Sequence, residues 1–404
     1  MRIISKRAMG WQNVAKFLGI LFVFLMMGSV KPDFANAERV KVGTILPLTG
    51  KLAPFGEIER NSFVMAVHEI NAAGGVQGDT LDLIIEDTAG HPDVGRTAMD
   101  KLISQDKVLC VVGGISSTVA WTIAAVAQDR RVPFLINTAS ADKITEQGWD
   151  YVFRLSTPTS EQPKTLASFL TRVAGLKTVA ILYEDGPFGD FELKKFVRLC
   201  RRLSLKVVMR EGYPTGSTDF RPTLEKARGK NPDMMYVISR ETEAAQITLQ
   251  AKELNLVPRI FLGHASGFTS PEFQRIAGIA SEYVCSHTLW APCVPYPGAR
   301  EYFDNFLTRQ GASPDYHGPQ AFAAMNVIAD ALKRALSLTP EEVRNSLAQT
   351  DMMTVFGSVK FISYGKKKGQ NTAPTYLVQW INGQLETVWP KAVSTALYVY
   401  PQPE

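Results

Sequence analysis

Cysteine and histidine are scarce in this chain of 404 residues, which has four of the first and five of the second. No C-x-x-C pair occurs, and the histidines show no metal-ligand spacing. Catalytic motifs are missing as well. There is no G-x-S-x-G elbow, and the P-loop-like PLTGKL lacks both its earlier glycine and its Ser/Thr. These absences argue against an enzyme, a metal centre and a cofactor site, and none of the three is expected.

The apolar run near the N-terminus is also short. It extends over 12 residues from Phe17 to Gly28, whereas a helix that crosses a bilayer needs roughly 20. Basic residues precede the run, and the small-x-small pattern Ala35-Asn36-Ala37 follows it. We predict a signal peptide at residues 1–37, cleaved after Ala37, and a periplasmic location. A membrane anchor is the alternative.

The excess of positive charge belongs mainly to this N-terminal segment. It carries five of the 44 Lys and Arg residues and one of the 39 Asp and Glu residues, so without it the net charge falls from +5 to +1. A nucleic-acid partner requires a basic face, and none is expected. The remaining 367 of the 404 residues are too many for one ordinary core and suit two lobes.

Two of the cysteines lie close together in sequence. In an oxidising compartment Cys285 and Cys293 could form a disulfide, with two free thiols as the alternative. Cys110 lies in the apolar segment KVLCVVGG and is expected to be a buried thiol.

Strand and helix patterns alternate from Arg39 to about Tyr283. The segment RVKVGTIL is typical of a strand, and the following helix has Phe63 and Ile70 on one face before it ends at Gly74-Gly75. Uniformly apolar strands separated by helices predict parallel sheets covered on both faces. We therefore predict an α/β fold with two doubly wound, Rossmann-like lobes.

Candidate ligand-binding residues follow three strands of the first lobe. They occupy the segments Pro54-Phe55-Gly56, Ser116-Ser117-Thr118 and Asn137-Thr138-Ala139-Ser140. Ligands of doubly wound sheets bind outside the carboxyl ends of the strands. The second segment opens a helix, where unpaired amides and the Ser117 hydroxyl can bind a carboxylate. A simple helix cap by Ser116 is the alternative, and the neighbouring Thr138 and Ser140 hydroxyls favour a site.

The second lobe has matching strand ends at Phe188, Arg240 and His264. Phe188 could cover an apolar part of the ligand or belong to the core. Arg240 could contact an anion or form a surface salt bridge. His264 by itself is a weak signal.

Several ordered motifs resemble the leucine/isoleucine/valine-binding protein family, the type I periplasmic solute-binding proteins of ABC importers. They are GTILPLTGKLAPFG, EINAAGGVQG, IIEDT, VVGGISST and FLINTAS in the first lobe, with DGPFGDF and YPTGSTDF in the second. The resemblance covers about residues 39–278. It implies two lobes joined by three crossovers that close on the ligand by hinge motion. We expect residues 38–155 plus about 290–355 in lobe 1, and 156–289 plus about 356–404 in lobe 2.

The resemblance also implies roles for individual residues. A ligand carboxylate would contact the loops of Ser117, Thr138 and Ser140, and the aromatic rings of Phe55 and Phe188 would flank the ligand. The remaining candidate positions beside these contacts are Gly56, Ser116, Ala139, Arg240 and His264.

Two positions depart from the amino-acid binders of the family. Arg240 stands where those proteins carry an aromatic residue, and the segment HASG offers no glutamate near Ala265 for a ligand ammonium group. A desolvated ammonium without a carboxylate partner is costly. We therefore expect the ligand to be an organic acid or an amide rather than a zwitterionic branched-chain amino acid.

The function implied by the resemblance is capture of a small carboxylate or amino-acid-like solute for an ABC permease in the inner membrane, by a monomeric binding protein. The alternative is a sensory module that presents a small molecule to a membrane receptor.

Overall fold

The computed structural model describes residues 39–172 and 176–403. The predicted signal peptide lies outside the described residues. From Arg39 onward the chain forms one compact unit that contains two seven-stranded sheets and a separate two-stranded sheet. The predicted fold of two α/β lobes is confirmed.

The strands of the described chain are, in order, β1 (Arg39–Leu46), β2 (Thr80–Asp87), β3 (Cys110–Gly113), β4 (Phe134–Ile136), β5 (Val152–Arg154), β6 (Thr178–Glu184), β7 (Lys206–Tyr213), β8 (Met234–Ile238), β9 (Ile260–His264), β10 (Cys285–Thr288), β11 (Asp351–Thr354), β12 (Gly357–Lys360), β13 (Ile362–Tyr364), β14 (Lys367–Gln370), β15 (Tyr376–Ile381) and β16 (Gln384–Trp389).

Its α-helices are α1 (Ala53–Ala72), α2 (Pro92–Ser104), α3 (Ser117–Arg130), α4 (Pro163–Arg172), α5 (Pro187–Arg202), α6 (Arg221–Lys230), α7 (Glu241–Glu253), α8 (Pro271–Ala277), α9 (Ala299–Gln310), α10 (His317–Arg334) and α11 (Pro340–Ala348). None of the helices in the described ranges combines the length and the apolar composition needed to cross a membrane.

The two large sheets repeat the same arrangement. The first has the order β13–β14–β5–β4–β3–β1–β2, and the second has the order β16–β15–β10–β9–β8–β6–β7. In the first sheet β14, β5, β4, β3, β1 and β2 are parallel, and in the second β10, β9, β8, β6 and β7 are parallel. In each sheet the second strand of the set lies on one side of the first strand, and the third lies on the other side. Connections that leave in opposite directions from β1 and β3, and from β6 and β8, open a crevice at the carboxyl ends of these strands.

Helix α1 shows how the local sequence sets the geometry of the first lobe. Its apolar face buries Phe63 and Ile70 against the sheet. The helix ends where the Gly75 amide donates to the Ile70 carbonyl at 2.9 Å. Gly75 has a φ of +72°, and a Cβ there would lie 2.0 Å from the Asp79 carbonyl oxygen, so only glycine fits this position. The predicted helix end at Gly74-Gly75 agrees with this geometry.

In the part of the chain that the structure describes, three crossovers connect the two sheets. The first crossover lies between β5 and β6, the second follows β10, and the third lies between Gln370 and Tyr376. The third differs from the expected boundary at about residue 356, because β13 and β14 still extend the first sheet. Gln370 pairs with Arg154 of β5, and this parallel contact keeps the tail on lobe 1 for longer than its sequence suggested.

Hydrogen bonds join the first and third crossovers to each other and to the end of β10. The Thr375 hydroxyl of the third donates to the Gln162 carbonyl of the first at 3.1 Å. Because that bond uses the hydroxyl hydrogen, Thr375 accepts from Nε2 of His287 in β10, just before the second crossover, at 2.9 Å. The Thr157 hydroxyl adds a 2.7 Å bond to the Ala373 carbonyl. The hinge is therefore one connected structure.

Candidate functional site: a crevice between two sheets

The sequence-predicted residues of the first lobe lie at the carboxyl ends of β3 and β4. Helix α3 begins at Ser117, and the side chain of the N-cap residue Ser116 makes no capping hydrogen bond. The Ser117 hydroxyl accepts a 3.2 Å hydrogen bond from the Ala141 amide, which leaves its own hydrogen for a ligand. This geometry differs from a simple Ser116 cap and leaves the first-turn amides and one hydroxyl donor at the helix start.

The other two hydroxyls are already engaged within the protein. The Thr138 hydroxyl lies 2.6 Å from Oε1 of Glu59 and 3.0 Å from Oε1 of Gln320. The Ser140 and Thr159 hydroxyl oxygens lie 3.0 Å apart. These two predicted donors are therefore held by partners that determine which way their hydrogens point.

Ala139 and Gly56 have structural roles. The Ala139 amide donates to the Gly114 carbonyl at 2.8 Å, which joins the loops that follow β3 and β4. Gly56 lies in the first turn of α1, and a Cβ there would come within 2.1 Å of the Pro47 carbonyl oxygen. Glycine at this position lets the helix approach the loop that leaves β1.

Phe55 is the first of three neighbouring rings, of which the first pair is tilted and the second is stacked. Its centroid lies 4.7 Å from that of His317, and the His317 centroid lies 4.3 Å from that of Tyr316. His317 and Tyr316 are at the start of α10, far along the chain from α1. The three rings thus form a row that runs from the first binding loop, where Phe55 lies, towards the hinge.

Glu59, Asp315 and His317 form a largely buried group of ionisable side chains that no sequence motif predicted. Burial raises the pKa of the Glu59 carboxyl to about 7, although His317 opposes the shift. Burial alone would lower the pKa of His317, but the Asp315 carboxylate, which accepts from Nδ1 at 2.9 Å, raises it. A signal for Glu59 was present, since it lies four residues before Phe63 on the apolar face of α1.

In the second lobe, Arg240 is paired with a carboxylate. Its Nε lies 3.1 Å from Oε2 of Glu184 at the end of β6, and more than half of the Arg240 side chain is exposed. The salt bridge that the sequence allowed is therefore present. Phe188 lies in the first turn of α5, and its side chain is outside the described part of the structure.

His264 borders a cavity of about 90 Å³ beside the hinge. Its Nδ1 lies 3.1 Å from the Tyr236 hydroxyl, and its Nε2 lies 3.5 Å from Oε2 of Glu192. The other residues around the cavity are Gln162, Pro163, Leu166, Lys195, Phe196, Leu199, His287, Thr288, Leu289 and Tyr316. Tyr316 is the last ring of the row that begins at Phe55, so the cavity continues from the crevice.

The cavity is mostly apolar, and its two histidines are neutral near pH 7. Removal from water lowers the pKa of His264, and it lowers the pKa of His287 to about 3. The Lys195 ammonium lies 3.1 Å from Oε1 of Glu192, so these opposite charges are paired. Such a lining suits an uncharged apolar or aromatic group with a few hydrogen-bonding atoms.

The cysteine pair differs from the disulfide expectation. Cys285 and Cys293 are both free thiols in the structure. Cys285 packs in the core between the second sheet and α4 and α5, whereas Cys293 packs against the first-lobe core and lies 3.4 Å from the Thr387 hydroxyl. The two thiols belong to different hydrophobic clusters, which sequence proximity could not reveal. Cys110 is a buried thiol, as expected.

A family model described as periplasmic binding protein matches residues 39–384. This chain belongs to that family.

Two curated relatives match this chain over almost the whole of their own lengths. A leucine-, isoleucine-, valine-, threonine- and alanine-binding protein of Pseudomonas aeruginosa is 27% identical over 87% of this chain and 93% of the relative. A Leu/Ile/Val-binding protein homolog of Brucella suis is 25% identical over 96% of this chain and all of the relative. The resemblance to the Leu/Ile/Val-binding family is confirmed.

Solved structures share the two-lobed architecture. The branched-chain amino acid transporter substrate binding protein LivJ of Streptococcus pneumoniae, in complex with isoleucine, is 26% identical with a TM-score of 0.66, and the match covers 87% of this chain and all of LivJ. An ABC transporter solute binding protein of R. palustris in complex with benzoate is 20% identical with a TM-score of 0.65, over 90% of this chain and 98% of that protein. At this identity the second likeness establishes the fold alone.

Proposed function

We propose that this protein is the substrate-binding component of an ABC importer and captures a small carboxylate-containing solute in the crevice between its lobes. The start of α3 carries this proposal. Its first-turn amides and the Ser117 hydroxyl lie close together, and the Ser116 side chain makes no capping hydrogen bond there. Amides at a helix start bind anions well because they lack internal partners and lie at the positive end of the helix dipole.

The rest of the solute would extend along the row of rings towards the hinge cavity. Phe55 and Tyr316 supply aromatic surfaces on either side of His317, and the cavity beyond Tyr316 offers Leu166 and Leu199 with neutral histidines. Glu184 is paired with Arg240 and so is a poor partner for a ligand ammonium group. These features favour an aromatic or branched aliphatic acid, or an amide, over a zwitterionic amino acid.

The biological setting follows from the same proposal. Residues 1–37 would direct secretion and be cleaved after Ala37, and the mature protein would act in the periplasm as a monomer that docks on an inner-membrane permease. The partners proposed for it are the solute and the permease. Intact-mass analysis of the secreted protein tests the cleavage position, and light scattering tests the monomer.

A thermal-shift screen tests the ligand class. Amino acids, aromatic and aliphatic acids, and their amides would be added at matched concentrations to the purified mature protein. A ligand at about 100 times its Kd adds roughly 2.7 kcal/mol to the free energy of unfolding, which gives a clear shift. The expected hits are acids or amides. Tight binding of leucine, isoleucine or valine without any response to simple acids would contradict the proposed preference.

A further inference from the structure

The Thr138 hydroxyl has more acceptors around it than it has hydrogens. Its oxygen lies 2.6 Å from Oε1 of Glu59 and 3.0 Å from Oε1 of Gln320, and it accepts from Nδ2 of Asn137 at 3.1 Å. A hydroxyl donates one hydrogen. It therefore cannot serve both the Glu59 and the Gln320 oxygens as they are placed. The cluster is satisfied either by one more proton or by a Gln320 amide turned so that its unpartnered Nε2 faces Thr138.

The Glu59 carboxyl is the group that can carry that proton. Glu59, Asn137 and Gln320 are completely buried. Within the described residues, Oε2 of Glu59, Oδ1 of Asn137 and Nε2 of Gln320 have no hydrogen-bond partner. An ionised carboxylate with a partnerless oxygen is costly to bury. A neutral carboxylic acid is less costly, and its O–H can donate to Thr138, whose own hydrogen then goes to Gln320.

Among the residues that the structure describes, few charged or titratable groups face Glu59. His317 and Asp315 approach from the start of α10, where they form an ion pair. The phenols of Tyr302 on α9 and Tyr316 also interact with it, and both are neutral because burial raises the pKa of each. The Asp315 carboxylate offsets part of the positive charge of His317. Burial outweighs the groups that favour ionisation, and the pKa of Glu59 therefore stays raised.

We propose that Glu59 is a specificity-determining residue of the anion site, and that it acts as a neutral carboxylic acid that donates a hydrogen bond to Thr138. In this form the floor of the site has no negative charge beneath the ligand carboxylate. When Glu59 loses its proton, a buried negative charge faces the ligand and the Thr138 hydrogen is drawn inward to Oε1. The inference rests on the proposed function, because it assumes that an anion binds above Thr138.

The proton can be measured without any ligand. A carboxyl whose pKa is about 7 when folded, against an ordinary value of 4.5, binds more protons in the folded state between those pH values. The folded state then loses stability as pH rises through this window, by up to a factor of ten in the unfolding equilibrium constant per pH unit. Denaturant titrations of wild type and Glu59→Gln from pH 4.5 to 8.5 should differ by this slope. Parallel pH profiles of the two proteins would overturn the proposal.

Ligand binding is tested with two probes, benzoate and, at high concentration, acetate. In wild type the affinity for each probe should fall by up to tenfold per pH unit above about pH 7. Glu59→Gln should keep its affinity at high pH, because the glutamine amide can donate to Thr138 without ionising. Thr138→Val should lower the affinity and weaken its pH dependence. The matched control is Glu57→Gln, which changes an exposed glutamate on the same helix and should follow wild type.

The outcomes separate this inference from the proposed function. Equal pH dependence of probe binding in wild type and Glu59→Gln would assign the titrating proton to His317. Binding that does not depend on pH in either protein would make the Gln320 amide, turned so that Nε2 faces Thr138, the donor. Either result would overturn the role of Glu59. Failure of both probes to bind either protein at pH 5.5 would overturn the anion site and the specificity role, while the unfolding slope would still decide whether Glu59 holds a proton.

Discussion

Nη1 of Arg154 donates a 2.6 Å hydrogen bond to the carbonyl oxygen of Ala141, the residue directly after Ser140. Arg154 is completely buried at the end of β5, and it also donates to Gln370 at 2.7 Å and to Thr145 at 3.1 Å. The Arg154 guanidinium therefore joins the loop after β4, which belongs to the anion site, to strand β14. Burial lowers the pKa of Arg154 only to about 10, so it remains charged near pH 7.

We expect Arg154→Met to destabilise the protein by about 3 kcal/mol, because it removes a buried donor of three hydrogen bonds, to Ala141, Thr145 and Gln370. Urea unfolding measures the loss. Arg130→Met is the control, since Arg130 forms an exposed ion pair with Asp100 and such pairs contribute about 1 kcal/mol or less. Equal losses in the two variants would contradict the role given to Arg154.

Ser117→Ala should weaken binding of an acid ligand by about 1.5–3 kcal/mol, the usual contribution of a hydrogen bond to a charged group. This corresponds to roughly a 10- to 100-fold higher Kd by titration calorimetry. Ser116→Ala removes a neighbouring hydroxyl that makes no capping bond and should leave affinity nearly unchanged. If Ser116→Ala costs as much as Ser117→Ala, the anion does not lie at the Ser117 hydroxyl.

His287 predicts how stability responds to acid. Its folded pKa of about 3 lies below its ordinary value of 6.5, so between these values the unfolded chain binds a proton that the folded protein does not. Stability should therefore fall as pH drops below about 6.5, by up to about 1.4 kcal/mol per pH unit for this residue. His287→Gln, which can still donate to Thr375, should flatten the profile between pH 4 and 6. The same substitution at the exposed His68 should not.

Leu166→Trp tests the hinge cavity. The larger side chain would occupy much of the space of about 90 Å³. The Kd of an acid that carries a ring should rise at least tenfold, which corresponds to about 1.4 kcal/mol. Acetate should still bind at the N-terminus of α3. Overpacking can destabilise the protein by roughly 1–3 kcal/mol, so the Tm of the free variant is measured alongside. A Kd for benzoate unchanged from wild type would place the ring elsewhere.

Most of the fold could be predicted from local patterns. Apolar strands such as Cys110–Gly113 and the glycine pair after α1 give the alternation of strands and helices and hence the two lobes. The last lobe boundary could not be placed in this way. It depends on the parallel contact of Gln370 with Arg154, which joins distant parts of the chain and leaves no local signal.

The candidate site was predicted only in part, for the same reason. Ser117, Thr138 and Ser140 follow strands and could be found by position. The partners that determine what these hydroxyls can do come from elsewhere, since Gln320 and His317 are brought to α1 by a helix of the C-terminal tail. Glu59 was visible as a carboxylate on an apolar helix face, but its burial and its raised pKa depend on that long-range packing.

The hydroxyl of Thr375 restricts how the protein can open. Since it bonds at once to Gln162 of the first crossover and to His287 at the end of β10, a movement of the third crossover strains its contacts with both neighbours. Sliding of these segments past one another would break the two bonds. An insertion or deletion between Gln370 and Tyr376 would displace Thr375 and would therefore disturb both contacts.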